Sequence, residues 1–252
     1  MARSAERTLD VLEYLGRAAT PVSAAALSGG LRIPRATLFR LLKDLIRRGY
    51  VSRDMGNGAY TLGLRVLPLA AAVLNRMDIR EASYDPMHKL LAESQETVEL
   101  LVPHEDEMIF VEKMDSPQSM RIFARVGSTI PLLHLMAHGK VMLAFMPEEQ
   151  RRAYLTRPMR RDAKGAPVKR ARLETELRRV QRRHWAVDHQ EARLEVTRFS
   201  APVFDHLGKF TGAVGFAGPT IRLPRRRQKE FARMVLVAAR SITANLGGTY
   251  PV

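Results

Sequence analysis

The chain has 252 residues, enough for one large domain or two smaller ones. Its 46% apolar content excludes a disordered tail, and no run reaches the roughly 18–20 uncharged apolar residues of a membrane-spanning helix. The lack of cysteine excludes disulfides, thiol nucleophiles and thiolate metal sites. With an opening "MARSAERTLDVLEYL" unlike a signal peptide, it fits a cytoplasmic location. The formal charge of +15 invites a polyanionic partner but does not locate the contact. Met1–Arg65 holds 11 Lys/Arg against 5 Asp/Glu, whereas Arg151–Arg183 holds 13 against 3.

Ser4–Arg17 places Leu9, Leu12 and Leu15 at helical spacing. "TPVSAAALSGG" predicts a turn at Pro21, an N-cap at Ser23, a short helix and a stop at Gly29-Gly30. "RIPRATLFRLLKDLIRRGY" follows, with Pro34 in the first turn and Gly49 as the stop. Leu38, Leu41, Leu42, Leu45 and Ile46 form the predicted buried stripe. "YVSRDMGNGAYTLG" reads as a hairpin of Tyr50–Arg53 and Ala59–Leu62 around Gly56-Asn57-Gly58. Three helices and a hairpin are the order of a winged helix-turn-helix.

If the leucine stripe faces inward, Arg35, Ala36, Phe39, Arg40 and Lys43 face outward. Recognition helices read bases from their N-terminal half, so Arg35, Ala36 and Phe39 are placed for base edges: guanine for the arginine, a thymine methyl for the others. Thr37, Lys43, Arg47 and Arg53 suit phosphates, which set position and salt dependence. The alternative is a solvated basic helix. Against it stand Phe39 among basic residues, the short preceding helix and the hairpin that follows directly.

Gly63–Met77 predicts a linking helix despite Pro68, and a helical stretch follows through Ala92. "TVELLV", "MIFVEKM" and "MRIFARVG" predict strands. "HGKVMLAFM", Pro147–Leu155 and Arg172–Arg183 predict helices. "WAVDHQEA" precedes two further strands in "RFSAPVFDHLGKFTGAVGFAG", and Pro224–Leu246 closes the chain as a helix. The expected fold class is α+β: a winged helix-turn-helix over 1–63, a linker helix over 64–79 and a mixed domain over 80–252.

The chain resembles the IclR family of bacterial transcriptional regulators. The resemblance rests on "ERTLDVLEYL", "IPRATLFRLLKDLIRRGYV", "YTLGLRVLPL", "ETVEL", "AHGKVMLAFMPEE", "WAVDHQE" and "SAPVFDHLGKFTGAVGFAGP", in that order. It implies a DNA-binding regulator and not an enzyme, with a C-terminal α/β, GAF-like effector-binding and oligomerisation domain. It also implies a homodimer or tetramer on a palindromic operator in double-stranded DNA, and a small organic acid effector in place of a cofactor or metal.

Laid onto this chain, the family's effector pocket falls on Gly127, Leu135, Met136, Asp188, Arg198, Ser200, Gly215, Phe216 and Ala217. The chain departs from the family pattern there. Arg198 stands at a cysteine position, Gly215 and Ala217 at serine positions, and Leu135 and Met136 where small residues are usual. These departures suggest that Arg198 clamps a carboxylate while Leu135, Met136 and Phe216 pack an aromatic or hydrophobic body. The competing expectation puts Arg198 on the outer face of its strand, in solvent.

His134 and His138 have helical i, i+4 spacing but lack an acidic partner, so a structural or pocket-lining role is expected over a metal site. "GNG" and "FTGAVGFAG" lie in hairpins and make poor phosphate cradles. Asp188, His189 and Glu191 cluster near one strand end and are expected to line or close the effector site. The Arg151–Arg183 segment is expected to present a solvated basic face. An enzyme with an accessory DNA-binding module is the alternative class, but no nucleophile–base pair can be assembled. An architectural DNA-binding protein would not need so large a second domain.

Overall fold

A computed structural model describes residues 2–54, 56–74 and 78–251. The chain divides into two compact units, 1–76 and 77–252.

The first unit contains α1 (Ala2–Arg17), α2 (Ala24–Leu31), α3 (Arg35–Arg47), β1 (Val51–Arg53), β2 (Tyr60–Leu62) and α4 (Val66–Leu74). Its core joins Val11, Leu15, Leu27, Ile33, Leu38, Leu42, Leu45, Val51 and Tyr60. The inward residues of α1 are Val11 and Leu15, whereas Leu9 is exposed. Ile46 is likewise exposed, because the buried face of α3 is a narrower stripe of four leucines.

The Ser23 hydroxyl accepts from the Ala26 amide and caps α2 as expected. Gly29-Gly30 does not stop that helix, which runs on to Leu31 and ends at Arg32 in a left-handed conformation. Gly30 serves packing: a Cβ there would lie 2.6 Å from the Tyr14 ring. The hairpin pairs Val51 with Leu62 and Arg53 with Tyr60, and a bridge between Val22 and Tyr60 adds a third short segment. Its turn is held by the Asp54 carboxylate, which accepts from the amides of Gly56 and Asn57. Pro68 is tolerated because it falls in the first turn of α4, where amide protons have no helical acceptor. The last part of the predicted linker, 75–77, lies outside the described residues.

The second unit begins with α5 (Asp78–Ser94), β3 (Thr97–His104), β4 (Glu107–Met114) and β5 (Thr129–Ile130). Next come α6 (Ala137–Phe145), α7 (Glu148–Thr156), α8 (Arg170–Arg183) and β6 (Ala186–His189). β7 (Val196–Phe204), β8 (Phe210–Pro219) and α9 (Gln228–Asn245) complete it. The strands form one antiparallel sheet in the order β5-β4-β3-β8-β7-β6. α5 and α9 pack together and against the sheet, while α6 covers the other face with α8 behind it. The predicted strand at "MRIFARVG" is instead a loop. Ile122 and Ala124 turn inward with strand-like alternation, but β5 pairs only at Thr129 and Ile130.

Side-chain alternation assigns each strand residue to a face. Arg198 pairs with Ala217 and Asp188, Ser200 with Gly215, and Gly215 with Glu99. These residues all face α6. Phe199 pairs with Phe216 on the opposite face, where both contact Phe231 of α9.

Candidate functional site

The two units carry polar side chains in opposite ways. On α3, Arg35, Ala36, Phe39, Arg40 and Lys43 are exposed and Thr37 is half-buried. Phe39 is 50% exposed, a large apolar area for a helix that merely faced water. Arg47 pairs with Asp44 at 2.9 Å, which holds its guanidinium along the helix. Arg53 on the hairpin lies over the Tyr60 ring and donates to the Gly58 carbonyl. A leucine-anchored helix thus presents one arginine-rich face with an apolar side chain in its first half, beside a hairpin that carries Arg53.

In the second unit a polar cluster lies between the sheet and α6. Arg198 is 7% exposed, and its Nη1 donates to Asp188 Oδ2 at 3.2 Å. The guanidinium therefore points inward, not into solvent. Asp188 Oδ1 accepts from the amides of Glu191 and Ala192 and so fastens the loop after β6. Burial raises the Asp188 pKa, against the pull of Arg198 and these two amides. Ser200 is satisfied by the Val214 carbonyl.

Two residues outside the predicted effector set complete this cluster, His138 having been expected only in a structural or pocket-lining role. Glu99 from β3 and His138 from α6 are both fully buried, with His138 Nδ1 3.8 Å from Glu99 Oε2. Burial lifts the Glu99 pKa to about 7 and drops that of His138 to about 3, and the Arg198 charge opposes the first shift and adds to the second. Among the described residues, Glu99 Oε2, both His138 ring nitrogens and Arg198 Nε have no hydrogen-bond partner. Each such orphan costs about 1–3 kcal/mol, so four in one place are a local concentration of unmet hydrogen-bonding capacity.

Gly215 explains how the imidazole fits. A Cβ at this position would lie 2.7 Å from His138 Nε2 and 2.1 Å from the Phe199 carbonyl oxygen. The glycine leaves this volume open, and a histidine from the facing helix occupies it. Ala217 at the second serine position packs with Val196 and Ile122, so the loop before β5 lies over this face.

The remaining predicted pocket residues are placed less uniformly. Phe216 is a correction: lying between Gly215 and Ala217 on one strand, it must point the other way, toward Phe231. Leu135 is buried just before α6, and Met136, at its N-cap, packs on the core beneath the helix. Gly127 is exposed in the turn into the edge strand β5, its amide bonded to the Phe110 carbonyl, and is not brought to Arg198. The Asp188–His189–Glu191 group is split by the sheet, because His189 lies on the α9 face, 3.3 Å from Gln228 Oε1.

Lys140 was visible only as half of "GK". Its ammonium is wholly buried and donates to Glu191 at 2.7 and 2.8 Å, Glu176 at 2.9 Å and the Val187 carbonyl at 3.2 Å. Burial pulls its pKa down, but the two carboxylates more than reverse this and hold it above the ordinary value. Lys140 thus ties α6, α8 and the loop after β6 together around the cluster. His134 bonds Tyr154 and the Arg160 carbonyl outside α6, so it shares no helix face with His138. Among the described residues, no group of three or more His, Cys, Asp or Glu is placed to hold a metal ion. On α8, Leu173, Leu177 and Val180 are buried while Arg172, Arg178, Arg179 and Arg182 are exposed, which is a solvated basic face.

A winged helix-turn-helix followed by an α/β domain with a buried polar site defines a DNA-binding transcriptional regulator. The chain belongs to the IclR family: residues 4–55 match the IclR helix-turn-helix domain and residues 71–244 the C-terminal domain of bacterial IclR transcriptional regulators. It is similar to the HTH-type transcriptional repressor AllR of Salmonella typhi, 28% identical over all of this chain and 92% of that protein. It is also similar to the HTH-type transcriptional regulator KdgR of Dickeya chrysanthemi, 27% identical over 96% of this chain and 79% of that protein. In fold it is similar to an IclR homologue of Microbacterium hydrocarbonoxydans complexed with 4-hydroxybenzoate. That likeness has a TM-score of 0.84 at 21% identity and covers 96% of this chain and 98% of the other. No described helix is long and apolar enough to cross a membrane.

Proposed function

We propose that this regulator reads a palindromic operator as a homodimer and that a small organic acid, held by Arg198, sets its operator affinity. The observation that carries the effector reading is a buried arginine with a free Nε. Among the described residues this guanidinium on the cluster face has one side-chain partner, Asp188, and it retains donors for a carboxylate. Arginine suits this role because its planar fork matches a carboxylate and stays charged when buried. The 4-hydroxybenzoate complex of a homologue supports an organic acid as the ligand class. The ligand acts by favouring one arrangement of the protein over another, and its differential affinity for the two sets the size of the response.

On the DNA side, Arg35, Ala36 and Phe39 read base edges, while Thr37, Arg40, Lys43 and Arg53 hold the backbone. The exposure of this face supports that division. The effector reading is tested by a thermal-shift screen against organic acids with the wild type and Arg198→Ala. The expected result is stabilisation of the wild type by an acid and its loss in the variant. Stabilisation only by neutral or cationic compounds overturns the reading.

A further inference from the structure

We infer that Glu99 and His138 form a second, specificity-determining half of the effector site, and that they select an acid carrying a hydroxyl group. This rests on the reading of Arg198 as the carboxylate anchor. Glu99 and His138 come from β3 and α6, are fully buried, and leave three polar atoms unpaired on the face that carries Arg198. Glu99 Oε2 and His138 Nδ1 stand 3.8 Å apart, too far to bond one another. One oxygen atom about 2.8 Å from each could bond both.

The chemistry of the pair narrows what that atom is. A neutral imidazole has one donor and one acceptor nitrogen, and a carboxyl either donates or accepts according to its proton. With one group donating and the other accepting, the bridging atom must do both, and a hydroxyl does. A keto oxygen only accepts and an ammonium only donates. Burial keeps His138 neutral at physiological pH. The other titratable or charged groups on this face are Arg198 from β7, Asp188 from β6 and, further along α6, Lys140. Asp188 and Lys140 have their own partners. β3 and β7 are separated only by β8, which puts the two backbones roughly 10 Å apart across the sheet. The carboxylate anchor and the Glu99–His138 pair thus come from different strands of one sheet face, as two halves of a site for a small bifunctional molecule.

Calorimetry on the full-length protein tests this with two matched sets: propionate, lactate and pyruvate, and benzoate with 4-hydroxybenzoate. The expected result is that in at least one set the hydroxylated acid binds about 10- to 100-fold more tightly than its deoxy or keto counterpart. Glu99→Leu and His138→Leu should each erase that preference while keeping the affinity for the deoxy acid. Should either fail to fold, Glu99→Gln, which still donates and accepts, should retain the preference, and His138→Phe should lose it. Arg198→Met should weaken every acid. Equal binding of hydroxy, deoxy and keto acids to the wild type, with Arg198→Met still weakening all, would overturn the hydroxyl assignment and leave the Arg198 reading standing. No binding of any acid to the wild type would overturn both.

Discussion

Helix α3 holds its arginines in solvent, whereas β7 carries Arg198 into the interior. On α3 the apolar stripe makes the fold and the polar face is left over for the proposed DNA contact, so structure and proposed function occupy different sides of one helix. In the second unit they share a side. The face that buries Leu101, Ala213 and Ala217 also buries Glu99, Arg198 and Asp188. A substitution on α3's outer face should therefore change DNA binding with little effect on stability, and one in the buried cluster should change both the effector response and stability.

The largest effect should come from Lys140→Met. It leaves the Glu176 and Glu191 carboxylates facing each other without their cation. The expected loss is about 3 kcal/mol in chemical denaturation, the lower end for breaking a buried ion pair because both carboxylates reach solvent. An unchanged denaturation midpoint would mean that the loop after β6 does not depend on this tie.

Arg35→Ala should cost about 1–3 kcal/mol of discrimination between operator and random DNA in anisotropy titrations. Arg53→Ala should weaken both DNAs alike and reduce the salt slope by about 1. Neither should shift the melting temperature. Equal, sequence-independent losses in the two variants would contradict the assignment of α3's base-reading face.

The smallest effect is the pH dependence of stability. Glu99 has its folded pKa raised from 4.5 to about 7, so the folded state holds more protons between those values. Its contribution is present below pH 4.5 and is lost as pH rises toward 7. His138 has its folded pKa lowered from 6.5 to about 3, so its contribution is present above pH 6.5 and is lost as pH falls toward 3. The two oppose each other between pH 4.5 and 6.5. Glu99→Gln should remove the falling limb and leave stability rising more steeply with pH across that window. A profile identical to wild type would show that Glu99 does not titrate there.

The same contrast explains what could be read from the sequence. The winged helix was legible because its signals are local: a leucine period, a capping serine, a Gly-Asn-Gly turn. The strand order was not, since β8 sits between β3 and β7 through contacts distant in the chain. Of the residues proposed for the effector site, Arg198 and Asp188 were found by their departure from, or agreement with, a family pattern. Phe216 was misplaced by naming three consecutive strand residues for one pocket, which alternation forbids. Glu99, His138 and Lys140 did leave a signal. Each is a polar residue inside an apolar run, "TVELLV" or "AHGKVMLAF", where burial without a partner is costly. Their convergence is a property of the tertiary fold.

Operator-DNA anisotropy titrated with an organic acid found by thermal shift, for the wild type and Arg198→Met side by side, tests the central claim most directly. The account predicts that the acid shifts the wild type's operator affinity and that Arg198→Met binds DNA with undiminished basal affinity but does not respond. An Arg198→Met protein that responds to the acid as the wild type does would contradict it.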